Sequence, residues 1–298
     1  MKLNKLTLKD QKLFNRYLAQ GRHELAAFSF PDIYIWKALF DIQWVLIQNS
    51  LCVFFRDKIG CFMYLPVLGK EPNPLIIKQA FEIMDGINKN KDISRIENVR
   101  QQDLGYYRAL GYLAQDKYPD YLCVCRDLAL LRGNKFKSQR ASYNYFIKHY
   151  DFDSRALLPA DAADCLGLFS SWAQARKGQG GDDIYCGMLE DNRKVIKVAL
   201  ANYRQLGFEG IVVKVNKQIK GFTFGYRLSY DTFCVLYEIT DLSVKGLAQF
   251  IFRRFCEGLK SYKYINIMDD SGLENLRKTK LSYHPERLIP AYIVTRNA

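Results

Sequence analysis

Glu238 stands near the end of the apolar run from Thr232 to Ile239. A carboxylate held there could accept a proton from an amine or hydroxyl, or orient it; an edge glutamate paired with a lysine would read the same way. Lys137, Arg140, Asn144 and Lys148 recur at spacings of three, four and four residues, which lines them along one helix face able to hold a phosphate-rich ligand. A solvated basic face gives the same spacing. In DLSVKGLAQFIFRRF, Gly246 lies at the first turn of an expected helix, where the missing side chain lets a phosphate approach free backbone N–H groups. An ordinary helix start also carries such a glycine. Asp269, Asp270, Ser271 and Gly272 lead from a strand, Tyr264 to Met268, into a short helix bearing Arg277 and Lys280. The three histidines, His23, His149 and His284, have no Ser or Cys beside them in a nucleophile context, so a Ser-His-Asp or Cys-His hydrolase is unsupported. The eight cysteines lie mostly in apolar runs without a CxxC pair or a nearby histidine cluster, so buried free thiols are expected and no metal site.

The elements that must position these groups fall into two similar series. Thr7 caps a first helix that ends before Gly21, and Pro31 opens a second. Strands follow at Gln43 to Ile47, Leu51 to Phe55 and Cys61 to Pro66, then an amphipathic helix from Pro74 to about Lys89. The second half repeats the order: a helix from about Asp183 to Leu206, strands at Gly210 to Val215, Lys220 to Leu228 and Thr232 to Ile239, and a helix from about Ser243 to Leu259. The hairpins VFFRDKIGCFMYLPV and VKVNKQIKGFTFGYRL can be laid over each other, which suggests an internal duplication, although two hairpins can also match by chance. Mixed strands with helices before and after them imply an α/β chain of two units, residues 1–132 and 133–298. The glycines of KGQGGDD, 177–183, mark a loop without the spacing of a phosphate fingerprint.

The chain has 298 residues, of which 49% are apolar and 25% charged, which excludes a disordered tail or a fibrous repeat. Its 44 Lys and Arg against 31 Asp and Glu give a net charge of +13, which favours an anionic partner: nucleic acid, a nucleotide phosphate or an anionic membrane surface. No signal-peptide core is present, and the longest uncharged apolar stretch, Ile42 to Phe55, is too short to span a bilayer. A cytoplasmic protein is expected.

The last forty residues resemble the terminal signature of the phosphatidylglycerol lysyltransferase C-terminal-like family. The matching positions are Asn266, Asp270, Gly272, Leu276, Arg277, Lys280, Ser282, Tyr283 and Pro285. Phe30, Asp32, Tyr34 and Trp36 resemble an earlier element of that family, Asp120 and Tyr121 its Asp-Tyr strand, Leu131 and Gly133 its Leu-x-Gly turn, and Glu238 the glutamate of a Glu-Lys-Ala-Asp element. The chain departs from the pattern at Gln139, Ala141, Tyr226, Ile239, Ile267 and Met268, several of which replace charged residues.

The resemblance implies two tandem N-acetyltransferase-like domains with mixed, largely antiparallel sheets, related to Fem-type transferases that move amino acids from aminoacyl-tRNA. It implies a soluble acyl or aminoacyl transferase with no permanently bound cofactor, whose co-substrate is aminoacyl-tRNA or a coenzyme A thioester, with peripheral contact to anionic lipid as a further partner. Glu238 and Asp270 would orient the nucleophile, and Lys280 and Arg277 would stabilise an oxyanion or contact donor phosphate. Lys137, Arg140, Asn144, Gly246 and Tyr283 would bind substrate. A catalytically inactive tandem-domain binding module is the alternative.

Overall fold

The computed structural model describes residues 2–21, 23–69, 73–178 and 183–297. In chain order its strands are β1 (Asn4–Lys5), β2 (Asp41–Ile47), β3 (Ser50–Arg56), β4 (Cys61–Met63), β5 (Arg95–Arg100), β6 (Tyr112–Val124), β7 (Phe152–Ala156), β8 (Glu209–Val215), β9 (Gln218–Arg227), β10 (Thr232–Thr240), β11 (Tyr264–Asn266) and β12 (Arg287–Arg296). Its helices are α1 (Gln11–Leu18), α2 (Phe30–Ile35), α3 (Pro74–Ile87), α4 (Leu104–Ala109), α5 (Cys125–Leu130), α6 (Lys137–His149), α7 (Ala162–Lys177), α8 (Asp183–Ala201), α9 (Leu247–Gly258) and α10 (Glu274–Leu281). Most of the glycine loop anticipated at 177–183 lies outside the described residues.

Two compact units form, one from the residues up to Asp120 together with those from Ile289 onward, the other from Tyr121–Leu288. The division lies earlier than residue 132 because α5 packs on α9, which holds the segment after Tyr121 in the second unit. The final strand returns to the first unit because β12 pairs antiparallel with β5, Ala291 opposite Arg100 and Tyr292 opposite Val99. An apolar strand pattern carries no mark of the sheet it will join.

In the first unit, β1 to β4 pair antiparallel in sequence and β4 meets β5 in parallel. Ser29 caps α2 by accepting from the Asp32 N–H at 3.2 Å, with Pro31 in the first turn. The turn between β3 and β4 closes on Asp57, whose Oδ1 accepts from the N–H groups of Ile59 and Gly60.

In the second unit, β7, β8, β9 and β10 are antiparallel neighbours; β10 meets β11 in parallel and β11 meets Tyr121 to Val124 of β6 antiparallel. The β8–β9 turn uses Asn216 and Lys217, both at positive φ (51° and 66°), as a two-residue hairpin of right-handed twist requires. Alternation sends Phe222, Phe224 and Tyr226 of β9 to one face, where Tyr203, Phe208 and Tyr237 surround them. Gly221, Thr223 and Gly225 turn to the other face, where Gly221 lies under Leu247 and Ile251 of α9. A Cβ on Gly225 would lie 1.8 Å from the Cys234 carbonyl oxygen, so only glycine allows β9 and β10 to approach there. Among the described residues no helix is long and apolar enough to cross a membrane.

Candidate functional site

β11 is short. It ends at Asn266, paired with Cys234 of β10 on one side and Leu122 of β6 on the other. β10 continues to Thr240, and among the described residues of this unit no strand covers that side of it beyond Cys234. Its backbone N–H and C=O groups on that side therefore have no ladder partner within the unit. A bulge between Val235 and Tyr237 re-aims the side chains along this stretch. Tyr237 faces α8, where its hydroxyl donates to Asn192 Oδ1 at 3.1 Å, and Glu238 is thereby turned to the α9 face, opposite Thr223.

Glu238 keeps some surface, but its carboxyl is enclosed, and burial alone raises its pKa to about 8. The carboxyl makes no hydrogen bond among the described residues. Around it are Tyr283 and Cys256, both of which feel its charge, and the Thr223 hydroxyl, fully buried without a hydrogen-bond partner. Tyr283 is held by its ring against Phe252, 4.6 Å between centroids. Burial first, then the Glu238 charge, pushes the Tyr283 phenol well above its usual range.

The second half of the site is the loop that follows β11. Asn266 Oδ1 accepts from the Met268 N–H at 2.6 Å, and Met268 adopts φ 59°. Asp270 is buried; its Oδ1 accepts from the Gly272 N–H at 2.9 Å and its Oδ2 from the Tyr121 hydroxyl at 2.5 Å. Burial, followed by that acceptor bond, raises the Tyr121 phenol to about 12, so it stays a proton donor. Lys280 reaches back from α10 and donates to the carbonyls of Ile267 at 2.5 Å, of Met268 at 3.1 Å, and of Asp269. Three carbonyls match the three protons of an ammonium, so Lys280 holds the loop in shape. Arg277, about one turn earlier, is exposed, makes no ion pair among the described residues, and lies close enough to lower the Tyr121 phenol pKa. Its guanidinium is available to a ligand.

Of the residues anticipated from sequence, Glu238, Asp270, Arg277, Lys280 and Tyr283 thus gather around the end of β11 and α10. The residues of α6 do not join them in the expected manner. Lys137 and Asn144 are exposed, and Arg140 Nη1 donates to the carbonyls of Leu131 and Gly133, bracing the turn before its helix. Gly246 caps α9 at φ 83°, and a Cβ there would fall 2.2 Å from the Ser142 oxygen. The close approach it permits is that of the α6 backbone.

Gln139 and Tyr121, absent from the anticipated set, do belong to the surroundings: Gln139 Nε2 donates to the Ser282 carbonyl at 2.6 Å, tying α6 to the end of α10. Of the departures from the family pattern, Tyr226 is buried on the sheet face away from Glu238 and Ile267 is buried in the core beneath α9. Burial raises the thiols of Cys123 and Cys256, so neither is set up as a nucleophile.

Comparison with known proteins follows the same lines. The family model for the C-terminal part of phosphatidylglycerol lysyltransferase matches residues 23–295. A conserved protein of unknown function from Bacteroides thetaiotaomicron is 26% identical, with both chains covered in full and a TM-score of 0.88. The L-PGS structure from Bacillus licheniformis is 15% identical over 96% of this chain and 92% of its own, with a TM-score of 0.64. FemX is 9% identical over 98% and 97%, with a TM-score of 0.65. No curated protein sequence matches significantly. The architecture is that of tandem N-acetyltransferase-like and Fem-type folds, as anticipated.

Proposed function

The chain belongs to the phosphatidylglycerol lysyltransferase C-terminal family, and from that premise we propose that it transfers an aminoacyl group from aminoacyl-tRNA to an amine or hydroxyl acceptor. An acyl-coenzyme A is the competing donor. The observation that carries this reading is the uncovered edge of β10, with Glu238 turned to one face of it and the Asp270–Tyr121 pair at the end of the adjoining strand. The open edge can align an ester or amide by main-chain hydrogen bonds. Glu238, with a pKa of about 8, is a base strong enough to take the acceptor's proton near neutral pH. The acceptor then attacks the donor's carbonyl carbon, the ester C–O bond breaks, and the proton passes to the leaving ribose oxygen. Arg277 offsets donor phosphate charge, while Lys280 and the Tyr121–Asp270 pair are positioning groups that hold the loop after β11. Rate comes from alignment and charge, with no covalent enzyme intermediate. The setting this implies is cytoplasmic, where aminoacyl-tRNA is found.

The test is transfer of radiolabelled amino acid from a mixed aminoacyl-tRNA pool into lipid and peptide extracts, with labelled acetyl-coenzyme A in parallel. Incorporation from the tRNA pool that is lost in Arg277→Ala supports the reading. Incorporation from acetyl-coenzyme A alone moves the donor to the thioester, and incorporation from neither leaves a binding module.

A further inference from the structure

On the sheet face away from Glu238, α7 and α8 enclose a groove of about 740 Å³ within the second unit. Its floor includes the buried side chains of Ala173 and Leu189. Its walls are cationic: among the described residues Lys177, Arg193, Lys194 and Lys197 line it with one carboxylate, Glu190. Lys177 is bound to Glu190 at 2.9 Å, and Lys194 to Asp191 at 2.8 Å. Arg193 and Lys197 are exposed and make no ion pair among the described residues. They sit four residues apart on α8, so the rise between them is about 6 Å along one wall.

We propose that this groove holds a single-stranded segment of RNA, its phosphates on Arg193 and Lys197 and its base and ribose faces on the apolar floor. Charge complementarity calls for a polyanion. The concavity selects a strand-like one, because a flat bilayer would rest on the ridges of α7 and α8 without reaching the walls between them. A positively charged groove is the feature that tracks a nucleic acid backbone. The choice of RNA rests on the tRNA-borne donor argued above; the groove itself does not.

The experiment measures binding of a labelled single-stranded RNA oligonucleotide to the full chain by fluorescence anisotropy, between 50 and 200 mM salt, roughly the range over which such contacts are lost. Arg193→Ala/Lys197→Ala is compared with Lys58→Ala/Lys89→Ala, which removes equal charge from exposed sites in the first unit. Two lost phosphate contacts lower the log–log salt slope by about 1.4. The proposal expects that drop in the first pair only. Equal slopes in both pairs overturn it, as does absence of RNA binding by the wild type, or flotation with phosphatidylglycerol vesicles that needs Arg193 and Lys197 while RNA binding does not. Groove-dependent RNA binding without any transfer would keep this inference and remove the transferase reading; transfer with equal RNA slopes would do the reverse.

Discussion

A carboxyl group enclosed in protein without a counter-ion holds its proton, and Glu238 is such a group. Its folded pKa of about 8 exceeds the unfolded value of 4.5, so its protonated form supports the fold. That contribution is complete below about pH 4.5 and is lost as pH rises through about 8. Glu238→Gln keeps the shape and removes the titration. Its thermal midpoint is expected to match wild type near pH 4.5 and to exceed it by several degrees near pH 8.5, on the scale of about 2–4 °C per kcal/mol. A difference independent of pH would contradict the assignment. Lys280 and Arg277 separate in another way. Lys280→Ala leaves three carbonyls without their shared donor, so amide exchange in residues 267–273 should rise, whereas Arg277→Ala should leave it unchanged. At this scale the sequence shows which residue types are present and little of what they hold. Asp270 is recognisable, but its partner Tyr121 lies 149 residues away and only the β6–β11 register brings them together. Nothing in a Lys one position from a helix end says that it turns back onto backbone carbonyls.

The elements themselves were largely readable. β8, β9, β10 and α9 lie close to where apolar runs bounded by turn residues and helical spacing place them. The bulge in β10 was not readable, because Leu236 is one more apolar residue in an apolar run. Yet the bulge decides that Glu238 faces α9. Gly246 shows the converse error: a glycine at a helix start suits a phosphate, but here it admits the Ser142 carbonyl of a neighbouring helix. A glycine pair tests how strictly the sheet is built. Gly225→Ala forces a Cβ against Cys234 and should cost about 3 kcal/mol or more. Gly167→Ala, inside α7 with open space around it, should stabilise by about 0.5–1 kcal/mol. Comparable midpoints for the two in urea unfolding would contradict the close approach of β9 and β10.

Across the whole molecule, the chain divides into two units, and the residues with chemical potential concentrate in the second. The excess of thirteen positive charges is not spread without consequence: Arg277 lies close to the Tyr121 phenol, and Arg193 and Lys197 line a groove on the other sheet face. Family membership points to a transferase, and the function proposed above puts its chemistry at the end of β10 where β11 stops. The most direct measurement is the single-turnover rate of aminoacyl transfer from tRNA as a function of pH, for wild type and Glu238→Gln. The wild-type rate is expected to rise with pH and level off above about 8, and the variant to be slower by about 10²–10⁴-fold with no inflection there. A variant that matches the wild type in rate and profile would contradict Glu238 as the base.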